Sequence, residues 1–556
     1  MLTNREIKWD VETDVVVVGS GGAALTSAIL AHDQGAKVIV IEKADQIGGT
    51  TAFSGGIPWI PMNRYMKEIG IEDSKEEAKT YLNHLMMGKE PDPALIDVYI
   101  EQGSKMIDYL HENTPVRFKV PRFYGDYYAN IPGGKNEGRS LDPLPFELSE
   151  VGEWADHIRR HPIFPPLTLE EGGAGDPTKA DFNLIAERMG NNITTMGRAL
   201  IGGLLKACLD RGIEIRTETP GRELVKNDKG EVVGIRAEHD GADVYFAARK
   251  GVMIATGGFE WNKQLVRSFL KGEVTHPMSP PGNEGDGLIM AMEAGAALAN
   301  MGEAWWSPAM VDPTIEYQGH VFNQTGSGRG LAHSIIVNKH GKRFVNEGAT
   351  YMDMPKSFYT FDTVTQSLPN EAPVWLIFDK TLKDEKLILT LAPGEDAPEW
   401  VPQAETIREL AEKIGVDPDG LEATVARFNK NAENLEDPDF HRGTLFFEKM
   451  LGGFKGPEAN IGPVETAPFY ALPLYSGALG TNGGPRINEN GQVISSHGNV
   501  IPGLYAAGNA AMGVLGPAYP GAGGTIGPAL TFGYLAGQSL GKEADREVST
   551  EEKVVL

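Results

Sequence analysis

At 556 residues the chain is too long for a single hydrophobic core, so two domains are expected. Its net charge of −25 argues against nucleic acid as a partner and against anionic membrane surfaces. One cysteine, Cys208, excludes a disulfide framework, a zinc cluster and an internal redox pair, and no metal site is expected.

The chain opens polar, with no apolar run before its first strand, and no stretch approaches the roughly 18 apolar residues of a spanning helix. A cytoplasmic location is expected, with weak peripheral membrane contact left open. Residues 15–18 are all valine, the mark of a parallel strand buried on both faces. Gly19-Ser20-Gly21-Gly22-Ala23-Ala24 follows. Gly19 suits a tight turn, Gly21 a close backbone approach to a pyrophosphate, and Ala24 a helix held against the strand, with the phosphates at that helix's N-terminus. A second strand, Val38-Ile39-Val40-Ile41, ends at Glu42, the spacing at which an acid bonds a ribose 2′-hydroxyl. Strand, turn, helix, strand and acid in that order point to a dinucleotide. Gly19, Gly21, Gly22, Ala23, Glu42 and Lys43 are its expected contacts.

Directly afterwards, Gly48-Gly49-Thr50-Thr51 and Ser54-Gly55-Gly56 offer backbone donors and hydroxyls with little bulk. They read as a second cradle for the same cofactor through Gly49, Thr50, Thr51, Ser54 and Gly55. Flavoproteins need such a cradle; simple nicotinamide enzymes do not. Residues 75–87 and 92–113 read as amphipathic packing helices. The aromatics Phe118, Phe123, Tyr124, Tyr127 and Tyr128 fall in an aperiodic Gly/Pro-rich stretch, which suggests a pocket wall. Residues 144–192 carry prolines, glycines, His157, Arg159, Arg160, His161 and Phe164, and read as a surface insertion; a basic, apolar-tipped loop of this kind could line an entrance or touch a membrane, as the lesser alternative.

From 213 to 254 short strands alternate with turns at Asn227-Asp228-Lys229-Gly230 and Asp240-Gly241. The last strand runs into Ala255-Thr256-Gly257-Gly258-Phe259, so Ala255, Thr256 and Gly257 are placed on the cofactor. A helix is expected from about 287 to 299. Trp305-Trp306-Ser307-Pro308 then opens a region, 304–468, with no nucleotide signature, containing His333, Asn338, Arg343 to Glu347, and Tyr351. From 469 the glycine-rich style returns. Leu504-Tyr505-Ala506-Ala507-Gly508-Asn509 reads as strand and loop, and Tyr519-Pro520-Gly521-Ala522-Gly523-Gly524-Thr525-Ile526 enters an apolar helix. Such a loop can aim N–H groups at a developing negative charge or at a flavin's pyrimidine ring.

Together these segments resemble the flavin-dependent fumarate reductase/succinate dehydrogenase superfamily and, within it, the 3-ketosteroid Δ1-dehydrogenases. The resemblance to the superfamily rests on residues 18–23, 48–51, 255–259 and 504–509. That to the subfamily rests on Trp305-Trp306-Ser307-Pro308, Asn346-Glu347 with Tyr351, Gly480-Thr481-Asn482-Gly483-Gly484 and Tyr519 to Gly523. It implies an α/β fold: a Rossmann-type FAD-binding domain (1–303 and 469–556) with an inserted α+β catalytic capping domain (304–468). FAD would be held non-covalently, with Gly508, Asn509, Thr525 and Ile526 completing its site. In such enzymes a tyrosine and a glycine N–H bond the steroid's C3 carbonyl, matching Tyr519 and Gly523. A second tyrosine takes the C2 proton, matching Tyr351, and a third supports it, matching Tyr127. The expected partners are a 3-ketosteroid and a quinone-like electron acceptor.

The chemistry is coherent, because a C2 hydrogen is acidic only beside a polarised carbonyl. A tyrosine starts near pKa 10, so a phenolate near neutrality needs its pKa lowered by about 3, on the order of 4 kcal/mol. A neighbouring phenol can supply part of that by hydrogen bonding. Three other readings share the motifs: a flavin-dependent 3-ketosteroid reductase, a dicarboxylate reductase, and a flavin-binding protein without activity. The tryptophan pair at 305–306 stands where a dicarboxylate site would place arginine and histidine, and favours an apolar substrate.

Overall fold

In the computed structural model, residues 7–122, 124–172 and 180–548 are described, so Phe123 and part of the 144–192 segment lie outside the described residues. Five strands run parallel in the order Val500–Ala506, Ala242–Ile254, Val11–Val18, Val38–Ile41 and Glu214–Arg216. The valine strand lies in the middle, with Val15, Val16 and Val17 wholly buried. Ala242–Ile254 is longer than its apolar end suggests, because its first half also pairs antiparallel with Val232–His239. The turn joining them has Asp240 and Gly241 at φ +50° and +75°, the two positive values of a type I′ hairpin.

Helix Gly22–Asp33 follows the valine strand, and the C-terminal helix Ile526–Lys542 packs along it. Three glycines one turn apart permit this. A Cβ at Gly533, Gly537 or Gly541 would stand 2.5, 2.4 and 2.4 Å from Ala23 O, Ser27 O and Gln34 Cβ. This seam brings the 519–526 loop, 500 residues along the chain, to the first glycine turn.

The second sheet has the order His320–Thr325, Ala304–Tyr317, Phe469–Thr481, Val374–Asp379 and Ser334–Val337. Its central strand, Phe469–Thr481, lies beyond residue 468, where a return to the first domain is expected from the sequence. The glycines that carry that domain's style begin at the strand's far end, at Gly480, whereas its body pairs on both sides within the second sheet. The strand therefore runs out of the second sheet straight toward the cofactor region. A smaller departure is the helix expected to 299. It spans Asp286–Glu293, and Gly295 at φ +89° lies just past its end. Leu298–Ala299 instead pairs with Gly484–Pro485.

The 144–192 segment is not simply a surface insertion. Leu148, Val151, Ile158 and Leu167 are buried, and Ile47 N donates to His157 O while Arg159 N donates to Ile47 O. Its apolar residues are too widely spaced to show a period, so nothing in the local pattern marked them as core. Among the described residues no helix is long and apolar enough to cross a membrane, and no His/Cys/Asp/Glu group could hold a metal ion.

Candidate active site

A single cavity is lined by every cofactor and catalytic residue anticipated above, from Gly19 and Glu42 through Ala255 and Asn509 to Tyr127, Tyr351, Tyr519 and Gly523. Its glycines fall into two kinds. Gly19 is required by the protein itself: it sits at φ +105°, and a Cβ would lie 2.4 Å from Ala255 O. Gly21, at φ −72°, has an ordinary backbone and nothing nearer to a Cβ than Thr51 Oγ1 at 3.7 Å. Its missing side chain thus leaves room in the cavity rather than between packed elements. The N-terminus of Gly22–Asp33 has no side-chain cap, and neither has that of Ile526–Lys542. Both open on the cavity; Gly22 N is taken by Thr51 Oγ1, Gly527 N by Gly523 O, and Pro528 has no N–H, so Ala23 N and Ile526 N are among the few donors left for an anionic ligand.

The polar lining is held by hydrogen bonds among the lining residues themselves. Glu42 accepts from Ser20 Oγ at 2.6 Å and from Ala44 N at 3.0 Å. Lys43 pairs with Asp286 at 2.6 Å, Thr50 Oγ1 accepts from Asn283 at 3.0 Å, and Thr51 Oγ1 accepts from Gly22 N at 3.1 Å. Thr256 Oγ1 is buried on this wall with no partner. A bare glycine turn, open helix N-termini and an orphaned hydroxyl are what a dinucleotide of FAD's size and charge would need.

Three phenols meet at the cavity's other end. Ring centroids of Tyr127 and Tyr351 are 5.6 Å apart, those of Tyr127 and Tyr519 are 5.9 Å apart, and those of Tyr351 and Tyr519 are 5.5 Å apart. The Tyr127 hydroxyl donates to that of Tyr351 at 3.2 Å. Burial pushes all three phenols above their ordinary range. For Tyr519, hydrogen bonds from Tyr351, Thr525 and the Gly523 N–H pull part of the way back. Gly523 must be glycine: it lies at φ +98°, and a Cβ would stand 2.3 Å from Ile57 O.

Of the three tyrosines in the aromatic loop, Tyr124 and Tyr127 line the cavity and Tyr128 does not. Tyr128 instead donates to Asp353 and meets Thr350 Oγ1 at 3.1 Å, so it fixes the segment on either side of Tyr351. The loop itself is held by groups that carry no motif. Trp59 Nε1 donates to Asp126 Oδ1 at 2.7 Å, and Arg139 bridges Asp126 at 2.8 Å and Asp73 at 2.6 Å. Tyr127 N and Tyr81 Oη both donate to Pro520 O, at 3.0 and 2.5 Å. The loops carrying Tyr127 and Tyr519 are thereby one unit.

Trp305 and Trp306 stand behind the wall rather than on it. Trp305 packs 5.7 Å from the Tyr519 ring and donates to Asn509 Oδ1 at 3.0 Å, and Trp306 packs against Tyr359. Their apolarity supports the site without touching its contents. Arg343, Glu347, Asp437 and Arg442 form a buried ion network beneath the Tyr351 segment. His333 bonds Pro463 O at 2.7 Å, and Asn338 closes a turn through His340 N and Lys342 N. At the mouth, Arg159, His161, Ile163 and Phe164 line the cavity. The His161 ring stacks on Phe164 at 3.5 Å, and burial lowers its pKa to about 3.

Residues 14–526 match the FAD binding domain family. The chain is 36% identical to a 3-oxosteroid 1-dehydrogenase of Mycobacterium tuberculosis over 96% of its length and 99% of that protein's. It is also 36% identical to a 4-oxocyclohexanecarboxylate 2-dehydrogenase of Sinomonas cyclohexanicum, over 96% of this chain and 93% of that one. The crystal structure of a 3-ketosteroid Δ1-dehydrogenase from Sterolibacterium denitrificans, in complex with 1,4-androstadiene-3,17-dione, superposes with a TM-score of 0.88 at 31% identity. That superposition covers 95% of this chain and 99% of the other.

Proposed function

This chain belongs to the FAD-dependent 3-ketosteroid Δ1-dehydrogenases, and on that footing we propose how its own residues divide the reaction. The Tyr519 hydroxyl and the Gly523 N–H bond the C3 carbonyl. Gly523 and Tyr519 line the same cavity, and the Gly523 N–H lowers the Tyr519 pKa, which supports their sharing one ketone oxygen. Donors preorganised around a developing enolate in a dry site are worth about 10²–10³ in rate. Tyr351, as phenolate, takes the C2 proton, and Tyr127 steadies it through the 3.2 Å hydrogen bond. FAD in the cradle supplies the hydride acceptor for C1, and C1 and C2 become doubly bonded.

The observation that carries this reading is the convergence of three phenols from distant segments around Gly523, in the cavity that also holds the glycine cradle. Anaerobic titration of the holoenzyme with 4-androstene-3,17-dione tests it: the flavin should bleach in proportion to steroid added. An unbleached flavin overturns it. A quinone-like acceptor would then reoxidise the flavin.

Oxidation of a small cyclic keto acid is a second reading with its own support. Arg159 lines the cavity with its Nε unpartnered and no carboxylate within ion-pair distance among the described residues. The same titration with 4-oxocyclohexanecarboxylate separates the two.

A further inference from the structure

Burial by itself works against the proposed base. A phenol as enclosed as Tyr351 holds its proton, because the phenolate loses its hydration. Some positive charge has to stand near it. The groups facing Tyr351 are Tyr124 and Tyr127 from the aromatic loop, Tyr519 from the C-terminal loop, and Arg329 from the segment before Ser334–Val337. On its own segment Asp353 is taken up by Lys356, Thr350 and Tyr128. Glu448, in the neighbouring helix, turns to Leu445 N.

Arg329 differs from most other buried arginines of this protein. Arg139 and Arg188 each meet a carboxylate within 2.6 Å, and Arg442 meets Glu347 at 3.4 Å. Arg329 is 4% exposed and, among the described residues, has no carboxylate within ion-pair distance. Its Nη1 donates to the carbonyls of Glu347 and Ala349, just ahead of Tyr351, and its Nε has no partner. Its guanidinium lies 5.9 Å from the Phe447 ring, whose other neighbour at 4.5 Å is Tyr127. The groups that feel its charge are the phenols of Tyr127 and Tyr351. A buried cation without a counter-ion is costly, and a guanidinium does not give up its proton near neutrality.

We propose that Arg329 is a positioning residue whose missing counter-ion is the Tyr351 phenolate: it holds the Tyr351 segment by two carbonyls and makes the base form accessible. This rests on Tyr351 being the base. When Tyr351 gives up its proton the buried pair becomes neutral overall, and when it takes the C2 proton the charge on Arg329 is left alone again. That alternation favours handing the proton on after each turnover.

The test uses FAD-loaded wild type, Arg329→Met, Arg329→Lys and Tyr351→Phe, with kcat/KM for 4-androstene-3,17-dione followed from about pH 6 to about pH 10. In Arg329→Met the rising limb should move up by about 1 pH unit or more, with activity about tenfold lower near neutrality and recovering in alkali. Arg329→Lys should fall between. Loss by the same factor at every pH, or an unmoved limb, overturns the inference and leaves Arg329 a structural residue. If Arg329→Met does not hold FAD, the tyrosinate absorbance of wild type minus that of Tyr351→Phe decides the matter. A Tyr351 phenolate forming below about pH 10 supports the inference, and one forming only above it refutes it. Full activity in Tyr351→Phe would instead remove the base reading itself.

Discussion

The two ends of the cavity are built on different principles. The cradle is made mostly of backbone: glycines, helix N-termini and a few hydroxyls tied to one another along the wall. The tyrosine slot is made of side chains brought from residues 124–128, 351 and 519–523, each fixed by contacts that are themselves buried. Backbone sites tolerate no added atoms but are insensitive to chemistry, so damage there should cost cofactor and fold. Side-chain sites accept isosteric changes without structural loss, so damage there should cost rate alone.

The sharpest break in that contrast is Gly19→Val. Its side chain would collide with Ala255 O from a positive φ, and the expected product is colourless protein that melts early. Flavin absorbance per chain and a melting curve check it; a normally yellow variant would dissolve the distinction. Wild type, by contrast, should be yellow and release intact FAD on denaturation, which separates free from attached flavin. Next comes Tyr351→Phe, expected to keep its FAD and lose at least about 10² in kcat, the loss typical of removing a general base. Tyr519→Phe should follow with roughly 10² in kcat, since the Gly523 N–H remains as one carbonyl donor. Unchanged turnover with bound FAD in either variant would remove that residue from the slot.

Tyr128→Phe sharpens the comparison at smaller scale. It touches the Tyr351 segment but not the cavity, so a several-fold fall in kcat with little change in KM is expected, only a fraction of the hydrogen bond's own worth reaching the reaction. The smallest effect belongs to the entrance. His161 is neutral when folded, with a pKa near 3 against an ordinary 6.5. The unfolded chain therefore binds its proton first, and the contribution of neutral His161 is complete above about pH 6.5 and fades as pH falls toward 3. His161→Gln should lose less melting temperature than wild type between about pH 7 and about pH 5. Parallel declines would show that the histidine is not buried in solution.

How much of this was legible follows from where each feature's cause resides. Gly19 to Ala24, Glu42 and the 255–257 turn announce the cradle because the chain's own period and glycine spacing create it. Tyr351 and Tyr519 were legible only through motif resemblance, since one half-buried tyrosine looks like another. In the aromatic loop the resemblance pointed to Tyr127; the structure puts Tyr124 and Tyr127 on the cavity and Tyr128 off it, and the loop is held by Asp126, Arg139 and Pro520, whose contacts join residues far apart in the chain. The tryptophan pair at 305–306 favours an apolar substrate by its composition, yet neither ring lines the cavity: packing puts the pair behind the wall. Arg329 carried no signal at all, because an arginine is remarkable only when its surroundings lack an acid.

By itself, then, the sequence determined the parallel strands, the glycine turns and the dinucleotide cradle, because short-range spacing and steric freedom are properties of neighbouring residues. Only the tertiary structure decided that Phe469–Thr481 belongs to the second sheet, which tyrosines meet, and that Arg329 lies buried beside them with carbonyls but no carboxylate for partners. Those depend on distances between segments hundreds of residues apart, which packing and electrostatics set and no local pattern encodes.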